Sequence, residues 1–387
     1  MTSQSAAPSL LPFSGERVRL RDITLADADM VDSWNAHIEP GSFNDFGHRE
    51  PLPREALSKG PLRNDRNGML IIERIEDGAA IGTVGWRRVV VYGPSPTSDA
   101  WQIGIELIPS ARGRGLGADA QRLVADYLFA ATDLNRVEAS TDVANAAEQR
   151  ALEKAGYHFE GTMRRAQFRA GAYHDLAYYS RLRDDSAADA PAPVAPSRTS
   201  TTRGVLPVVG RLVRLRDVTL ADVDMLDEWQ DRREPGSFNE LGQPRKPTPR
   251  EVLATGPLRD ERRGRLICER LDDGAPVGTL SWHVVGYGPN SESQCFNIGI
   301  ELLPSARGKG YGSEAQRLLA DWLFSASSVN RVEASTDVDN LPEQRALEKA
   351  GFTREGAARG SQFRAGRHHD MAIYSRLRSD TLRARGR

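Results

Sequence analysis

The stretch PSARGRGLGA at residues 109–118 recurs as PSARGKGYGS at residues 304–313. In both places a strand-like apolar run precedes the stretch and a long amphipathic run follows it. A glycine-rich turn between a strand and a helix presents backbone N–H groups at the helix N-terminus, where a diphosphate can bind. Glycine suits this position because it has no Cβ to keep an anion away from the backbone. Such turns are common, so the motif alone is also compatible with a purely structural role.

The repetition extends far beyond the turn. Residues 139–157, ASTDVANAAEQRALEKAGY, match residues 334–352, ASTDVDNLPEQRALEKAGF. Between 103–130 and 298–325, 20 of 28 positions are identical. A period this long indicates a duplicated domain and not a solenoid repeat.

The chain of 387 residues is too long for one ordinary core and suits two domains. Between the two copies lies DDSAADAPAPVAPSRTSTTRG, which is rich in Pro, Ala, Ser and Thr and is typical of a flexible linker. We therefore predict an N-terminal tail at 1–14, a first domain at 15–183, a linker at 184–204, a second domain at 205–380 and a C-terminal tail at 381–387.

The composition is that of a soluble globular protein, with 39% hydrophobic and 27% charged residues. The net charge of −1 provides no field that would recruit nucleic acid or an acidic membrane. Two cysteines, Cys268 and Cys295, argue against a disulfide framework or a zinc site and fit a reducing compartment. No apolar run has the length needed for export or for crossing a bilayer. We expect a cytoplasmic monomer or homodimer without a metal.

Hydrophobic periodicity predicts the order β-α-α-β-β-β-α-β-α-β-β in each copy, a mixed α and β fold. In the first copy the predicted strands are 17–23, 69–75, 80–92, 101–108, 136–141, 157–169 and 174–183. The predicted helices with assigned residues are 25–36, 117–132 and a capped helix that starts at Asn145 and stops at Gly156.

The chain resembles the GNAT superfamily of acetyl-CoA-dependent N-acetyltransferases, particularly its RimJ/RimL-like branch, which acetylates ribosomal proteins. The family motif [Gln/Arg]-x-x-Gly-x-[Gly/Ala] is matched by Arg112, Gly115 and Gly117 and again by Arg307, Gly310 and Gly312. The helix from Asn145 to Gly156, and its copy from Asn340 to Gly351, also reproduce the family spacing. The resemblance covers nearly all of both copies. It implies two tandem α+β domains, each with a mostly antiparallel central sheet flanked by helices.

By resemblance, each domain binds acetyl-CoA or another acyl-CoA as a co-substrate. The glycine-rich loop would hold the pyrophosphate, the preceding strand edge would pair with the pantetheine amides, and the asparagine would help to hold the thiol arm. The implied cofactor-binding residues are Ile103, Ile105, Leu107, Arg112, Gly113, Arg114, Gly115, Leu116, Gly117, Ala118 and Asn145 in the first copy, and Ile298, Ile300, Leu302, Arg307, Gly308, Lys309, Gly310, Tyr311, Gly312, Ser313 and Asn340 in the second.

Acetyl transfer needs an uncharged amine and often an acid for the departing thiolate. Many family members have a tyrosine that acts as the general acid, and at that position this chain has Leu152 and Leu347. Where the branch often has serine, it has Glu148 and Glu343, which we interpret as solvated glutamates that favour a helix N-terminus. Because of these departures, the sequence does not identify the residue that acts as the general acid.

The candidate general bases are Glu106 and Glu301, in the otherwise apolar strand IGIEL. An edge-strand glutamate in a salt bridge is an equally good interpretation of these two residues. The candidate acceptor-binding residues are Phe43, Asn44, Trp86, His174 and Asp175 in the first copy, and Phe238, Asn239, Trp282, His369 and Asp370 in the second. For all of these, core packing or the anchoring of a loop is the structural alternative.

The resulting hypothesis is an N-acyltransferase that moves an acetyl group to a primary amine of a small molecule or a peptide N-terminus by direct attack. Three alternatives stay open. One domain could catalyse while the other binds only CoA or a partner. The chain could be a non-catalytic CoA sensor or scaffold. A donor other than acetyl-CoA could serve the same fold.

Overall fold

The computed structural model describes residues 10–36, 42–46, 50–90, 92–93, 95–185, 206–231, 237–238, 249–253 and 258–380. The predicted tails, and most of the predicted linker, lie outside these residues apart from short flanking pieces. The chain divides into two compact units. Unit 1 comprises Met1–Val90, Asp99–Phe159 and Ala177–Ala192, and unit 2 comprises Val91–Ser98, Glu160–Leu176 and Pro193–Arg387.

The elements follow the predicted order in both repeats, with one short additional strand before each. In the first repeat they are β1 (Phe13–Ser14), β2 (Val18–Asp22), α1 (Ala28–Ala36), α2 (Arg54–Lys59), β3 (Asn67–Arg74), β4 (Ala80–Val89), β5 (Ala100–Leu107), α3 (Leu116–Ala131), β6 (Arg136–Asp142), α4 (Ala146–Lys154), β7 (His158–Arg169) and β8 (Ala172–Leu182). In the second they are β9 (Val208–Val209), β10 (Val213–Asp217), α5 (Val223–Asp231), α6 (Pro249–Leu253), β11 (Arg263–Arg270), β12 (Pro276–Gly286), β13 (Gln294–Leu302), α7 (Tyr311–Ala326), β14 (Arg331–Asp337), α8 (Leu341–Lys349), β15 (Thr353–Arg364) and β16 (Arg367–Leu377).

Each unit is built on a mostly antiparallel sheet, as the family resemblance implies. In unit 1 the strand order is β1-β2-β3-β4-β5-β6-β8, where only residues 177–182 of β8 belong to the unit. In unit 2 it is β7-β15-β16-β14-β13-β12-β11-β10-β9, where β7 contributes residues 160–169. The pair β5–β6 and its counterpart β13–β14 are parallel. Each parallel pair is joined by the long helix α3 or α7, because parallel neighbours need a crossover connection.

Alternating side chains of the sheet face two different helical layers. On one face of unit 1, Trp101 and Ile103 of β5 pack with Leu123 and Val124 of α3 in the main core. On the other face, Ile71 of β3 packs against α1 and α2 in a smaller cluster. Unit 2 repeats both clusters, with α7 on one face and α5 and α6 on the other. The sheet therefore lies between two layers of helices.

The start of the first helical segment is fixed by a local capping motif. Thr24 and Asp27 form a capping box, and the Asp27 carboxylate also accepts two hydrogen bonds from the Arg21 guanidinium at 2.9 and 2.8 Å. These bonds hold the pKa of Asp27 down at about 2. The second repeat builds the same box from Thr219 and Asp222.

Residues 160–176, in β7 and β8, are counted with unit 2, and they are tied to it by polar contacts. Inside unit 2, Arg164 Nε donates to Glu355 at 2.8 Å and the Gln167 amide donates to the carbonyl of Tyr287 at 3.2 Å. Glu355 is also paired with Arg331 at 2.7 Å, where both side chains are 1% exposed. Because an unpaired buried charge is costly, this network makes residues 160–176 an integral part of unit 2.

The close pairing of β4 and β5 depends on a glycine. A Cβ on Gly82 would lie 2.1 Å from the carbonyl oxygen of Glu106 and 3.0 Å from Leu107 Cα, so no side chain fits there. We expect Gly82→Ala to lower the free energy of unfolding by about 1–3 kcal/mol, because backbone atoms must move apart. Thermal unfolding followed by circular dichroism measures this loss.

Gly104, on the neighbouring strand, is the matched control because a Cβ there would meet no atom within 4 Å. We expect Gly104→Ala to leave the melting temperature nearly unchanged. Equal melting temperatures for the two variants would contradict the close packing of β4 on β5.

Candidate active site

The strand before the glycine-rich loop has one partly unpaired backbone edge. β5 pairs with β4 along its whole length, from Ala100 to Leu107. On its other side it pairs with β6 only at Trp101 and Gln102. The ladder between β5 and β6 thus ends at Gln102, and the ladder between β13 and β14 ends at Ile298. Beyond the end of such a ladder, a strand edge can pair with an amide-bearing ligand.

The loop that follows β5 is shaped by two glycines in the left-handed region. Gly113 has φ +72° and Gly115 has φ +77°, and in the second repeat Gly308 and Gly310 have φ +75° and +84°. Non-glycine residues are strained in this conformation, which explains the glycines at these positions. No side chain caps α3 or α7 at Gly115 or Gly310, so the first N–H groups of each helix are available to an anion.

The arginine of the motif fastens the loop to the strand. Arg112 Nε donates to the carbonyl of Leu107 at 3.0 Å, and Arg307 Nε donates to that of Leu302 at 3.3 Å. The structure thus brings together the predicted loop, the end of the preceding strand and the start of α3 or α7 in each repeat. Whether these residues bind a cofactor stays a prediction.

Asn145 and Asn340 begin α4 and α8. Asn145 Oδ1 accepts the backbone N–H of Glu148 at 3.3 Å, and its Nδ2 donates to Thr141 Oγ1 at 3.1 Å. Asn340 makes the same two contacts with Glu343 and Thr336. Both amides are thus engaged as helix caps, and their family-implied contact with a thiol arm remains a prediction.

Glu106 lies on the sheet face opposite α3. Its neighbours Ile105 and Leu107 pack towards the main core, so Glu106 faces the other side, in register with Thr83, which in turn is in register with Ile71. That side carries α1 and α2. Glu301 has the equivalent place, in register with Thr279, which in turn is in register with Ile267. Both carboxylates are half-buried.

The interpretation of Glu148 and Glu343 as solvated residues is wrong. Both are half-buried, and burial raises the pKa of each carboxyl from 4.5 to about 7, against a smaller opposing effect of Gln121 or Gln316. A carboxyl with this pKa is present in both protonation states near neutral pH, which suits proton transfer.

Helical spacing could have located these glutamates. Glu148, Leu152 and Ala155 follow one another at i, i+4 and i+7, and the last two are 1% exposed. Glu148 therefore belongs to the inward-facing stripe of α4. Glu343, Leu347 and Ala350 repeat the stripe in α8. The preference of glutamate for helix N-termini concealed this signal.

The two tryptophans predicted at the acceptor site lie in the cores. Trp86 is 6% exposed and packs edge-to-face on Tyr127 of α3, with ring centroids 5.7 Å apart. Trp282 packs on Trp322 of α7 in the same way at 5.2 Å. Both point to the face opposite Glu106 or Glu301, because they are in register with Ile103 and Ile298. This placement does not support a role in acceptor binding.

The loop phenylalanines are more exposed. Phe43 and Phe238 are each 39% exposed, and Asn44 is half-buried in the same turn as Phe43. The Arg364 guanidinium lies 5.1 Å from the ring centroid of Phe238 and makes a cation–π contact with it. Asn239 lies outside the described residues.

Both histidine–aspartate pairs stabilise their own hairpins. The Nε2 atoms of His174 and His369 each lie 3.2 Å from the carbonyl oxygen of Arg169 or Arg364, to which they donate. Asp175 accepts the N–H of Arg165, and Asp370 accepts that of Gly360, both at 2.8 Å. These contacts favour the structural alternative over a role as base.

The described part of the chain offers neither a membrane-spanning helix nor a cluster of metal ligands. None of its helices is both long and apolar enough to cross a membrane. No group of three or more His, Cys, Asp and Glu side chains within it has a metal-binding arrangement.

The buried glutamates make stability depend on pH. The folded chain holds these two protons more tightly than the unfolded chain, so the free energy of unfolding falls as the pH rises from 4.5 to about 7. The fall is about 2–3 kcal/mol for each carboxyl. We expect the double variant Glu148→Gln, Glu343→Gln to lose much of this fall when urea unfolding is compared at pH 5 and pH 8.

Glu76 is an exposed control, and Glu76→Gln should keep the wild-type pH dependence. If the Glu148→Gln, Glu343→Gln chain shows the same difference between pH 5 and pH 8 as the wild type, the two carboxyls are not buried as described.

Comparison with known proteins agrees with this architecture. The family model described as "Acetyltransferase (GNAT) domain" matches residues 17–158 and again residues 212–353. The N-acetyltransferase YoaA of Bacillus subtilis is 31% identical over 119 residues, which cover 30% of this chain and 65% of YoaA. The N-acetyltransferase p20 of Bacillus licheniformis is 30% identical over 104 residues, which cover 27% of this chain and 56% of p20. The chain thus spans less than two thirds of the length of these relatives.

The solved structures that this chain resembles include a ribosomal-protein-S5-alanine acetyltransferase from Vibrio fischeri. The match has 23% sequence identity and a TM-score of 0.36, and it covers 45% of this chain and 97% of the Vibrio chain. The family model alone accounts for well over half of the chain. The chain therefore belongs to the GNAT acetyltransferase family and carries the family domain twice.

Proposed function

We propose that the chain is an acyl-CoA-dependent N-acyltransferase that acetylates a primary amine of a small molecule or a peptide N-terminus. The observation that carries this proposal is the joint presence, in both repeats, of two parallel strands that diverge, β5 from β6 or β13 from β14, and of an uncapped helix start at Gly115 or Gly310. A ligand with two amides followed by a diphosphate can use the edge and the helix start together. Acyl-CoA has this chemistry.

The residues of the chain fit such a ligand. The backbone N–H groups from Gly113 to Ala118, and from Gly308 to Ser313, would hold the pyrophosphate, and the left-handed glycines keep side chains out of that space. Residues 103–107 and 298–302 would pair with the pantetheine arm. Bound there, an acyl-CoA supplies a thioester, which is an activated acyl group for an amine.

Two carboxyls on opposite faces of the sheet would handle the protons. Glu106 lies on the α1–α2 face and would accept the proton of the attacking amine. Glu148 lies on the inward stripe of α4, and its carboxyl would donate a proton to the departing sulfur. Glu301 and Glu343 would do the same in the second repeat. The divergence of β5 from β6 opens the sheet between the two faces.

The base assignment is tested by turnover of acetyl-CoA with a panel of primary amines. We expect the double variant Glu106→Gln, Glu301→Gln to lower kcat at least tenfold, which corresponds to about 1.4 kcal/mol. Glu76→Gln serves as the control. A double variant that keeps more than a tenth of the rate would show that these residues are not the base.

The acid assignment predicts a distinct pH profile. Since Glu148 and Glu343 lose their protons near pH 7, kcat limited by sulfur protonation should decline above that pH. In the Glu148→Gln, Glu343→Gln chain the decline of kcat above pH 7 should disappear. Below pH 7 its kcat should be lower than that of the wild type. A wild-type profile that is unchanged in this variant would rule out the assignment.

A division of labour between the repeats is the second candidate. The observation that favours it is that the two loops have different neighbours, Arg17 beside Gly115 and Leu212 beside Gly310. Calorimetry with CoA distinguishes the candidates, since two sites per chain support twin donor sites and one site supports a single donor domain.

A further inference from the structure

The two glycine-rich loops have the same backbone shape but differ in one neighbouring side chain. In the first repeat, Arg17 precedes β2 and donates from Nη1 to the carbonyl of Arg114 at 3.0 Å and from Nη2 to that of Gly115 at 3.4 Å. Its Nε donates to the Asp119 carboxylate in the first turn of α3 at 2.7 Å. The arginine thus bridges the loop and the helix.

The second repeat has Leu212 at the same position. A Cβ on Gly310 would lie 3.5 Å from Leu212 Cδ1, whereas a Cβ on Gly115 would lie 2.9 Å from Arg17 Nη2. The same space beside the loop is therefore filled by a guanidinium in one repeat and by a methyl group in the other. Leucine has no donor for the carbonyls of the loop.

The contacts of Arg17 orient two successive peptide groups. In a planar trans peptide the C=O and the N–H point in opposite directions. Because Arg17 draws the carbonyls of Arg114 and Gly115 to its side, the N–H groups of Gly115 and Leu116 point away from it. Donors that are oriented in advance lose less entropy when an anion binds.

The net charge beside the two loops does not follow the difference in hydrogen bonding. The second repeat has Arg211 where the first has Glu16, so the pair at 211–212 carries a net charge of +1 whereas the pair at 16–17 carries none. Its Glu314, at the position of Asp119, accepts the backbone N–H groups of Arg211, Leu212 and Val213 at 2.7, 2.6 and 3.0 Å. The distinguishing feature is thus the direct hydrogen bonding of the loop carbonyls.

We propose that Arg17 is a positioning residue that gives the loop at 112–118 the higher affinity for CoA. With Leu212 in the same place, the loop at 307–313 binds CoA with lower affinity. This inference rests on the proposed function, because it concerns the same two sites. It makes the repeats unequal in donor binding although their motifs are alike.

Isothermal titration of the full chain with CoA tests the inference by binding alone. The wild type should show two sites that differ in affinity. To assign them, each loop is disabled in turn by Gly310→Glu or Gly115→Glu, which place a carboxylate at a left-handed position. The chain with the intact first loop should bind CoA more tightly.

Exchange of the two side chains is the central measurement. In the Gly310→Glu chain, Arg17→Leu should weaken CoA binding about fivefold, as expected for the loss of hydrogen bonds to a partly exposed cation. In the Gly115→Glu chain, Leu212→Arg should strengthen it. Arg19→Leu is the control, because Arg19 lies two residues further on and bonds to Glu73.

The outcomes separate the inference from the proposed function. If the wild type binds no CoA, the proposed function fails. If it binds CoA at two equal sites, or if Arg17→Leu leaves the affinity unchanged, only the inference fails. If Arg17→Leu lowers the affinity for CoA but not for 3′-dephospho-CoA, Arg17 contacts the ligand itself. That result also overturns the positioning role.

Discussion

The divergence of two parallel strands is the constraint on which the candidate site depends. β5 is held by β4 over its full length, but β6 leaves it after Gln102. The remainder of β5 therefore lies beyond its ladder with β6, and it leads directly into the glycine-rich turn. The close approach of β4 at Gly82 keeps this half-supported strand in place. The residues proposed to hold the donor and to move protons in the first repeat are positioned by β5 or by α3 and α4, which flank β6 in the chain.

Duplication has preserved this arrangement while the surroundings have changed. The register of β4 on β5, the left-handed glycines and the asparagine caps are the same in both repeats. The neighbours of the loop are not, since Arg17 is replaced by Leu212 and Asp119 by Glu314. Backbone geometry is shared because it is needed for the fold, whereas a side chain beside the loop can vary without unfolding it. Two sites of one shape can thus acquire different affinities.

The placement of carboxyls illustrates how burial creates chemistry. Glu148 sits in the first turn of a helix, where the dipole favours its charge, but burial is the larger effect and raises its pKa to about 7. In contrast, Asp27 is surrounded by donors from Arg21 and Thr24, and its pKa falls to about 2. Two acidic residues near the start of a helical segment therefore differ because one gains hydrogen bonds and the other mainly loses water.

The sequence alone determined the duplication, the order of elements, the family and the loop, because these depend on periodicity, on glycine chemistry and on a spacing repeated twice. It also located the caps at Asn145 and Asn340. Only the tertiary structure decided which way the side chains face. Trp86 proved to be a core residue, His174 and His369 proved to fasten hairpins, and Glu148 proved to be buried. The contact of Arg17 with Gly115 joins residues almost a hundred positions apart, and no local pattern encodes it. Burial and long-range hydrogen bonds arise from how the elements pack, which is why the sequence could predict a candidate site but not the protonation of its carboxyls.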